Sequence, residues 1–263
     1  MLLVVALLYL ALIAFGLFFS DSLIFQPHPS SYTDNPETLK IKSANGKMIS
    51  AVYLYNPQAT FTLLVSHGNA EDLGDDHYWL EDLRRAGFNV FAYDYQGYGT
   101  SEGVPSEKTS YQDEMAAYDF LAIDLRTPPD HIIIFGRSVG SGPAVHVASH
   151  RPAAGLILQS PFVSAFRVLT RVPLLPFDKF PNLSQIRHVH CPVLVIHGLK
   201  DGVIGSWHGK KIYEAANQPK QFLWIQGADH NDLDMVGGAA YLQAIRSFAL
   251  SLPQGASAIK TIH

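Results

Sequence analysis

Gly136-Arg137-Ser138-Val139-Gly140 follows the apolar run His131-Ile132-Ile133-Ile134-Phe135 and leads into Ser141-Gly142-Pro143-Ala144-Val145-His146-Val147-Ala148. This reads as a buried strand ending in a sharp turn, with a serine at the apex and a helix beyond. A serine so placed has a strained backbone and crowded neighbours, so the positions two before and two after it must be very small. Gly136 and Gly140 meet that demand, which makes Ser138 the candidate nucleophile of an elbow.

Alternating runs at 38–43 and 48–55 predict an opening pair of antiparallel strands, and short apolar runs of strand length follow at 62–66, 89–93, 131–135, 155–159, 193–197 and 221–225. Asn45-Gly46 separates the first two and predicts a hairpin, because both residues tolerate positive φ. Helical periodicity occupies 75–86, 106–125, 139–150, 207–216 and 239–250, with Gly87 as a stop after the first. Such alternation predicts a mostly parallel sheet covered by helices on both faces.

A serine hydroxyl is a weak nucleophile at neutral pH and needs a base in contact, with a third group to orient that base. In this architecture the partners follow in the order serine, acid, histidine, each beyond the carboxyl end of a strand. Asp201 lies just past the run at 193–197, and His230 just past the run ending at Ile225. Asp94 at the end of an earlier strand and Asp229 and Asp232 beside His230 are the alternative acids, and the twelve histidines offer several rivals, including His67, His146, His197 and His208. Backbone N–H groups must meet the developing oxyanion. Val139, next after the serine, is one candidate; Asn69 in Ser66-His67-Gly68-Asn69-Ala70 is the other, with Ala70 next.

The 263 residues, 48% hydrophobic, fit one large α/β unit. A net charge of -4 without a basic block argues against nucleic acid as partner, and one cysteine, Cys191, excludes an internal disulfide. His188 and His190 show no third metal ligand, so no metal is expected. Residues 2–19 carry no charge and, as a helix, suggest a single-pass membrane anchor; a cleaved signal peptide, with Ser20 and Ser22 near the cut, is the alternative. Asp21, Asp34 and Glu37 precede Lys40, and positive-inside reasoning then places the domain on the non-cytoplasmic side. The expected division is an anchor at 1–20, a Pro- and Ser-containing linker at 21–37, a domain at 38–252 and a tail at 253–263.

Together, Ser66-His67-Gly68-Asn69-Ala70, Asp94-Tyr95-Gln96-Gly97-Tyr98-Gly99, the serine turn, Ser160-Pro161, Phe180-Pro181-Asn182, His197-Gly198 with Asp201, and Gly227-Ala228-Asp229-His230-Asn231-Asp232 resemble the α/β-hydrolase superfamily from about Lys40 to Ala249. More closely they resemble its branch of membrane-associated protein depalmitoylases and bud-emergence-type hydrolases. The resemblance implies an α/β-hydrolase fold and a serine hydrolase without a cofactor, with Ser138 as nucleophile, Asp201 as acid and His230 as base. It also implies acyl thioesters of proteins as a substrate class. Two departures stand out. The depalmitoylases attach through an amino-terminal cysteine cluster that is missing here, and Arg137 stands where they carry a neutral residue.

Only a short Pro-containing segment separates Ser160 from Cys191, so a large lid is not expected. Phe162, Leu174 and Leu175, with Phe166 and Phe177, are candidates for an apolar acyl-binding wall. The expected activity is a membrane-anchored hydrolase of carboxylic esters or acyl thioesters acting through an acyl-enzyme. A serine aminopeptidase or amidase would use the same residues, and a noncatalytic membrane-tethered binding protein is the reading from another class.

Overall fold

The computed structural model describes residues 1–253. Its sheet strands are β1 (Leu39–Lys42), β2 (Met48–Leu54), β3 (Thr62–Ser66), β4 (Asn89–Tyr93), β5 (Ile132–Arg137), β6 (Gly155–Gln159), β7 (Val193–Gly198) and β8 (Lys220–Ile225). They form one sheet in the order β1-β2-β4-β3-β5-β6-β7-β8. β2 runs antiparallel to both β1 and β4, and the remaining neighbours pair in parallel. The hairpin turns at Asn45-Gly46, where Gly46 takes φ 87°.

The central strands are apolar at successive positions because both faces are covered. Leu64, Ile132 and Ile134 point into a core layer closed by α4 (Glu107–Asp119), α5 (Ser141–His150) and α8 (Trp207–Ala215). Leu63, Val65, Ile133 and Phe135 point into the opposite layer, closed by α3 (His77–Arg85) and α9 (Leu233–Ser251). α9 starts earlier than the periodicity predicts and bends at Gly238, whose φ of 49° and ψ of -131° are not helical. Between β6 and β7 lie only short helical pieces, α6 (Ala165–Leu169), α7 (Asn182–Gln185) and a 3-10 turn at Ile186–His188, as the brief intervening segment requires.

The amino-terminal segment departs from the expected membrane anchor. α1 (Leu2–Phe18) has 17 residues, about 26 Å at 1.5 Å per residue against a hydrocarbon core of about 30 Å. No helix among the described residues is long and apolar enough to cross a membrane. The apolar run continues to Phe19, but the helix ends there at φ -118° and ψ -8°, and α2 (Ser20–Ile24) turns the chain onto the body. The transmembrane helix, the single-pass anchoring and membrane partner, and the non-cytoplasmic placement that rested on them are therefore not supported. Instead, Gly16 and Ser20 are buried, and a Cβ on Gly16 would lie 2.7 Å from Leu175. Phe25 is buried against Tyr95 and Phe180. The tail expected at 253–263 lies, from residue 254 on, outside the described residues.

Candidate active site

Ser138 stands at the end of β5 with φ 52°, a left-handed conformation that costs a non-glycine residue on the order of 1 kcal/mol or more. The turn is held by close packing. A Cβ on Gly140 would lie 2.2 Å from the Ser66 carbonyl oxygen, and one on Gly136 would lie 2.5 Å from that of Gly140. Both glycines are thus required by backbone contact.

The Ser138 hydroxyl donates to His230 Nε2 over 2.9 Å, and His230 Nδ1 donates to Asp201 Oδ2 over 2.8 Å. Asp201 follows β7 and His230 follows β8, so the parallel sheet delivers all three side chains to one edge. Asp201 Oδ1 also accepts the N–H groups of Val203 and Ile204 at 3.0 and 2.7 Å. His197 Nε2 donates to the Ile204 carbonyl at 2.7 Å and lies 3.3 Å from Asp201 Oδ2. Burial alone would raise the Asp201 carboxyl, but His197, His230 and the Ile204 N–H hold it well below the ordinary carboxylate range. The acid therefore stays ionised and fixes His230 with Nε2 free to take a proton.

Of the other acids, Asp229 accepts the Gly202 N–H and Asp232 accepts the Asp229 N–H, so both shape loops around His230. Asp94 serves the neighbouring loops: it accepts the Leu73 N–H at 3.0 Å and the Tyr32 hydroxyl at 2.6 Å. His67 is buried beside it, 3.3 Å from Asp94 Oδ1. His146 stacks on Tyr111, and His208 accepts the Val163 N–H.

Opposite the serine lies the turn Gly68-Asn69-Ala70, which borders the same cavity together with Val139. The Asn69 side chain accepts the Tyr98 hydroxyl at 2.6 Å and the Gln26 N–H at 2.9 Å. His67 Nδ1 donates to the Gly68 carbonyl, and Ala70 takes φ 55°. A turn fixed at so many points can keep its amide directions without reorganisation.

A cavity of about 420 Å³ opens on Ser138 and His230. Its apolar wall comes from Phe162, Phe166, Val168 and Leu169 after β6, Ile204 after β7, and Leu23 and Ile24 of α2. Leu174 and Leu175 do not reach it. They line an adjoining cavity of about 400 Å³ with Leu12, Phe15 and Gly16 of α1, and the two cavities share Ser20, Leu23, Phe166 and Leu169. Sequence reasoning missed the contribution of α2, because nothing in a residue pattern tells where a segment preceding the sheet will dock. Among the described residues, the donor atoms of His28, Asp72 and Asp75 come within 4.8 Å of one another. They are already engaged with one another and with Ser31: His28 Nε2 meets Asp75 at 2.9 Å, and Asp72 accepts the Ser31 N–H.

The mostly parallel sheet, the strained serine between two obligatory glycines, and the acid and histidine delivered in that chain order define an α/β-hydrolase-fold serine hydrolase. The chain belongs to the alpha/beta hydrolase domain-containing protein 17 family. It is 38% identical over 225 residues to protein 17B of Xenopus tropicalis, and 37% identical over 225 residues to that of Homo sapiens. Each match covers 84% of this chain and 77% of the relative. It is also 44% identical over 210 residues to the domain-containing protein aho-3 of Caenorhabditis elegans, covering 78% of this chain and 61% of that one. The family described as serine aminopeptidase, S33, matches residues 57–177. Among solved structures, the Pyrococcus furiosus esterase Pf2001 shares the fold with a TM-score of 0.73 at 18% identity, over 86% of this chain and 99% of that one.

Proposed function

We propose that the protein hydrolyses carboxylic esters or acyl thioesters, with Ser138 as nucleophile, His230 as general base and then acid, and Asp201 as its orienting partner. Ser138 attacks the acyl carbon while its proton passes to His230 Nε2. The tetrahedral oxyanion is met by the backbone N–H groups of Val139 and Asn69, and collapse expels the alcohol or thiol with the proton from His230. Water then repeats the sequence on the acyl-enzyme and frees the acid. The observation that carries the reading is the Ser138–His230–Asp201 chain of hydrogen bonds opening on an apolar cavity. Phe162 lines the cavity at Ser138 and Leu174 and Leu175 the adjoining one, and the residues the two share, Ser20, Leu23, Phe166 and Leu169, favour a mainly apolar route for an acyl chain.

The S33 match favours a second reading, a serine aminopeptidase. That activity needs a group for a substrate ammonium, and the carboxylate in the cavity wall, Glu71, is already paired with Arg137 at 3.4 Å. The ester reading is therefore the stronger. The test is fluorophosphonate labelling and turnover of p-nitrophenyl esters, acyl thioesters and aminoacyl amides by the native chain and Ser138→Ala. Labelling and ester or thioester turnover that vanish in the folded variant support it; Ser138-dependent turnover of the amides alone would select the aminopeptidase.

A further inference from the structure

Arg137 directly precedes the elbow serine and is largely buried, yet the mechanism above gives it no task. Its Nη1 lies 3.1 Å from Asp76 Oδ1 and 3.4 Å from Glu71 Oε2, and its guanidinium stands 5.3 Å from the Trp79 ring centroid. The other Glu71 oxygen, Oε1, accepts the Gly68 N–H at 2.5 Å. A Cβ on Gly68 would lie 2.4 Å from that oxygen and 3.7 Å from Ser138 Cβ, so the carboxylate, the turn and the elbow meet at one point. The register of the sheet explains the meeting: β3 and β5 pair in parallel with Ser66 opposite Gly136, and the residues that follow each strand emerge side by side.

We propose that Glu71 and Arg137 are positioning residues that tie the turn carrying Asn69 to the elbow carrying Ser138, and so fix the gap in which the substrate carbonyl oxygen sits. The inference rests on the roles proposed above for Ser138 and Asn69. Glu71 holds the turn through Gly68, and Arg137 holds Glu71 from the elbow side. A bare carboxylate beside a developing oxyanion would oppose it; the guanidinium and the Gly68 N–H take up that charge. A stabilising role alone fits less well, because a buried ion pair seldom improves on apolar packing. Here two acids face one guanidinium, and Asp76 Oδ2 has no hydrogen-bond partner among the described residues. Burial and then Glu71 push the Asp76 carboxyl up to about 7, as expected where one cation serves two carboxyls.

The test is steady-state hydrolysis of p-nitrophenyl acetate, with thermal melting and fluorophosphonate labelling, on the native chain, Glu71→Ala, Glu71→Gln, Arg137→Gln and the double variant E71Q/R137Q. A misplaced turn should lower kcat by about tenfold or more in Glu71→Ala while KM stays within about twofold and melting is little changed. Glu71→Gln keeps an acceptor for the Gly68 N–H and should recover most of that loss. Arg137→Gln strands the Glu71 charge and should be slower than Glu71→Gln, and the double variant should regain part of the deficit. Native kcat in folded Glu71→Ala, an effect confined to KM, or a Glu71→Gln variant as slow as Glu71→Ala would overturn the proposal. Should Arg137→Gln fail to fold, the two Glu71 variants decide alone. A folded native chain that neither labels nor turns over would remove the Ser138 reading and this inference together; labelling with Glu71→Ala at native kcat would remove this inference only.

Discussion

Asp201 shows how much a single side chain is asked to hold. One oxygen faces His230 and His197, the other accepts two backbone N–H groups, and every contact favours the ionised form. Asp201→Asn should keep the fold but present an amide N–H or a weaker acceptor to His230, and kcat for an acetyl ester should fall by about 10⁴. A folded variant within tenfold of native would show that Asp201 does not orient the base. Ser138, Asp201 and His230, which the fold brings into one chain of hydrogen bonds, can be nominated from the sequence because chain order and strand ends restrict the choice. Glu71 cannot: it is not adjacent to a motif glycine or to the serine, and its meeting with Arg137 arises only from the pairing of β3 with β5. His197 is legible as a rival base and as part of the His197-Gly198 stretch, but not as a support for the acid, since its place behind Asp201 depends on the turn from 198 to 204.

The elbow is the element on which the site depends, and its glycines are a steric requirement. Gly140→Ala would drive a methyl group into the Ser66 carbonyl and should destabilise the protein by about 3 kcal/mol, read as a lower denaturant midpoint. Unchanged stability would mean that the strand end can yield. In α6, Phe166 and Leu169 border both cavities, so Phe166→Ala with Leu169→Ala should reduce kcat/KM for long acyl esters by about tenfold or more relative to acetyl esters. An unchanged chain-length profile would remove α6 from the acyl path. The central strands were legible because unbroken apolar runs bounded by turns have few other readings, and β1 and β2 because alternating runs flank Asn45-Gly46. The one-turn helices α2, α6 and α7 were not, since 4 or 5 residues cannot display a helical period. The first turns of α9 were hidden by Gly237-Gly238, where the backbone does leave helical geometry.

Across the molecule, Asp94 joins the segment before the sheet, the loop after β3 and the end of β4: it accepts from Tyr32 and Leu73 and faces His67. His67 directs Nδ1 to a carbonyl and Nε2 to a carboxylate, an environment that suits the doubly protonated ring. Burial would lower its pKa, but Asp94 reverses this and lifts it from 6.5 to about 9. Because the folded value is the higher one, the contribution, up to about 3 kcal/mol, is fully present below about pH 6.5 and is lost as pH rises through about 9. Melting temperature should therefore decline across that window, and His67→Gln should flatten the decline; equal slopes would show the ring to be neutral. The overall sheet could be anticipated from alternation alone, whereas the docking of α2 against the site depends on contacts such as Gln26 with Asn69 that no local pattern encodes. That docking also sets an order of events during synthesis. At about 5–20 residues per second, α2 leaves the ribosome roughly 10–40 s before the loop bearing His230. The first wall of the cavity is thus made before the strands on which it will rest, and a nascent chain halted before β8 would hold Ser138 without its hydrogen-bond partner His230. The proposed catalytic chain is completed only as the last strand and helix are translated.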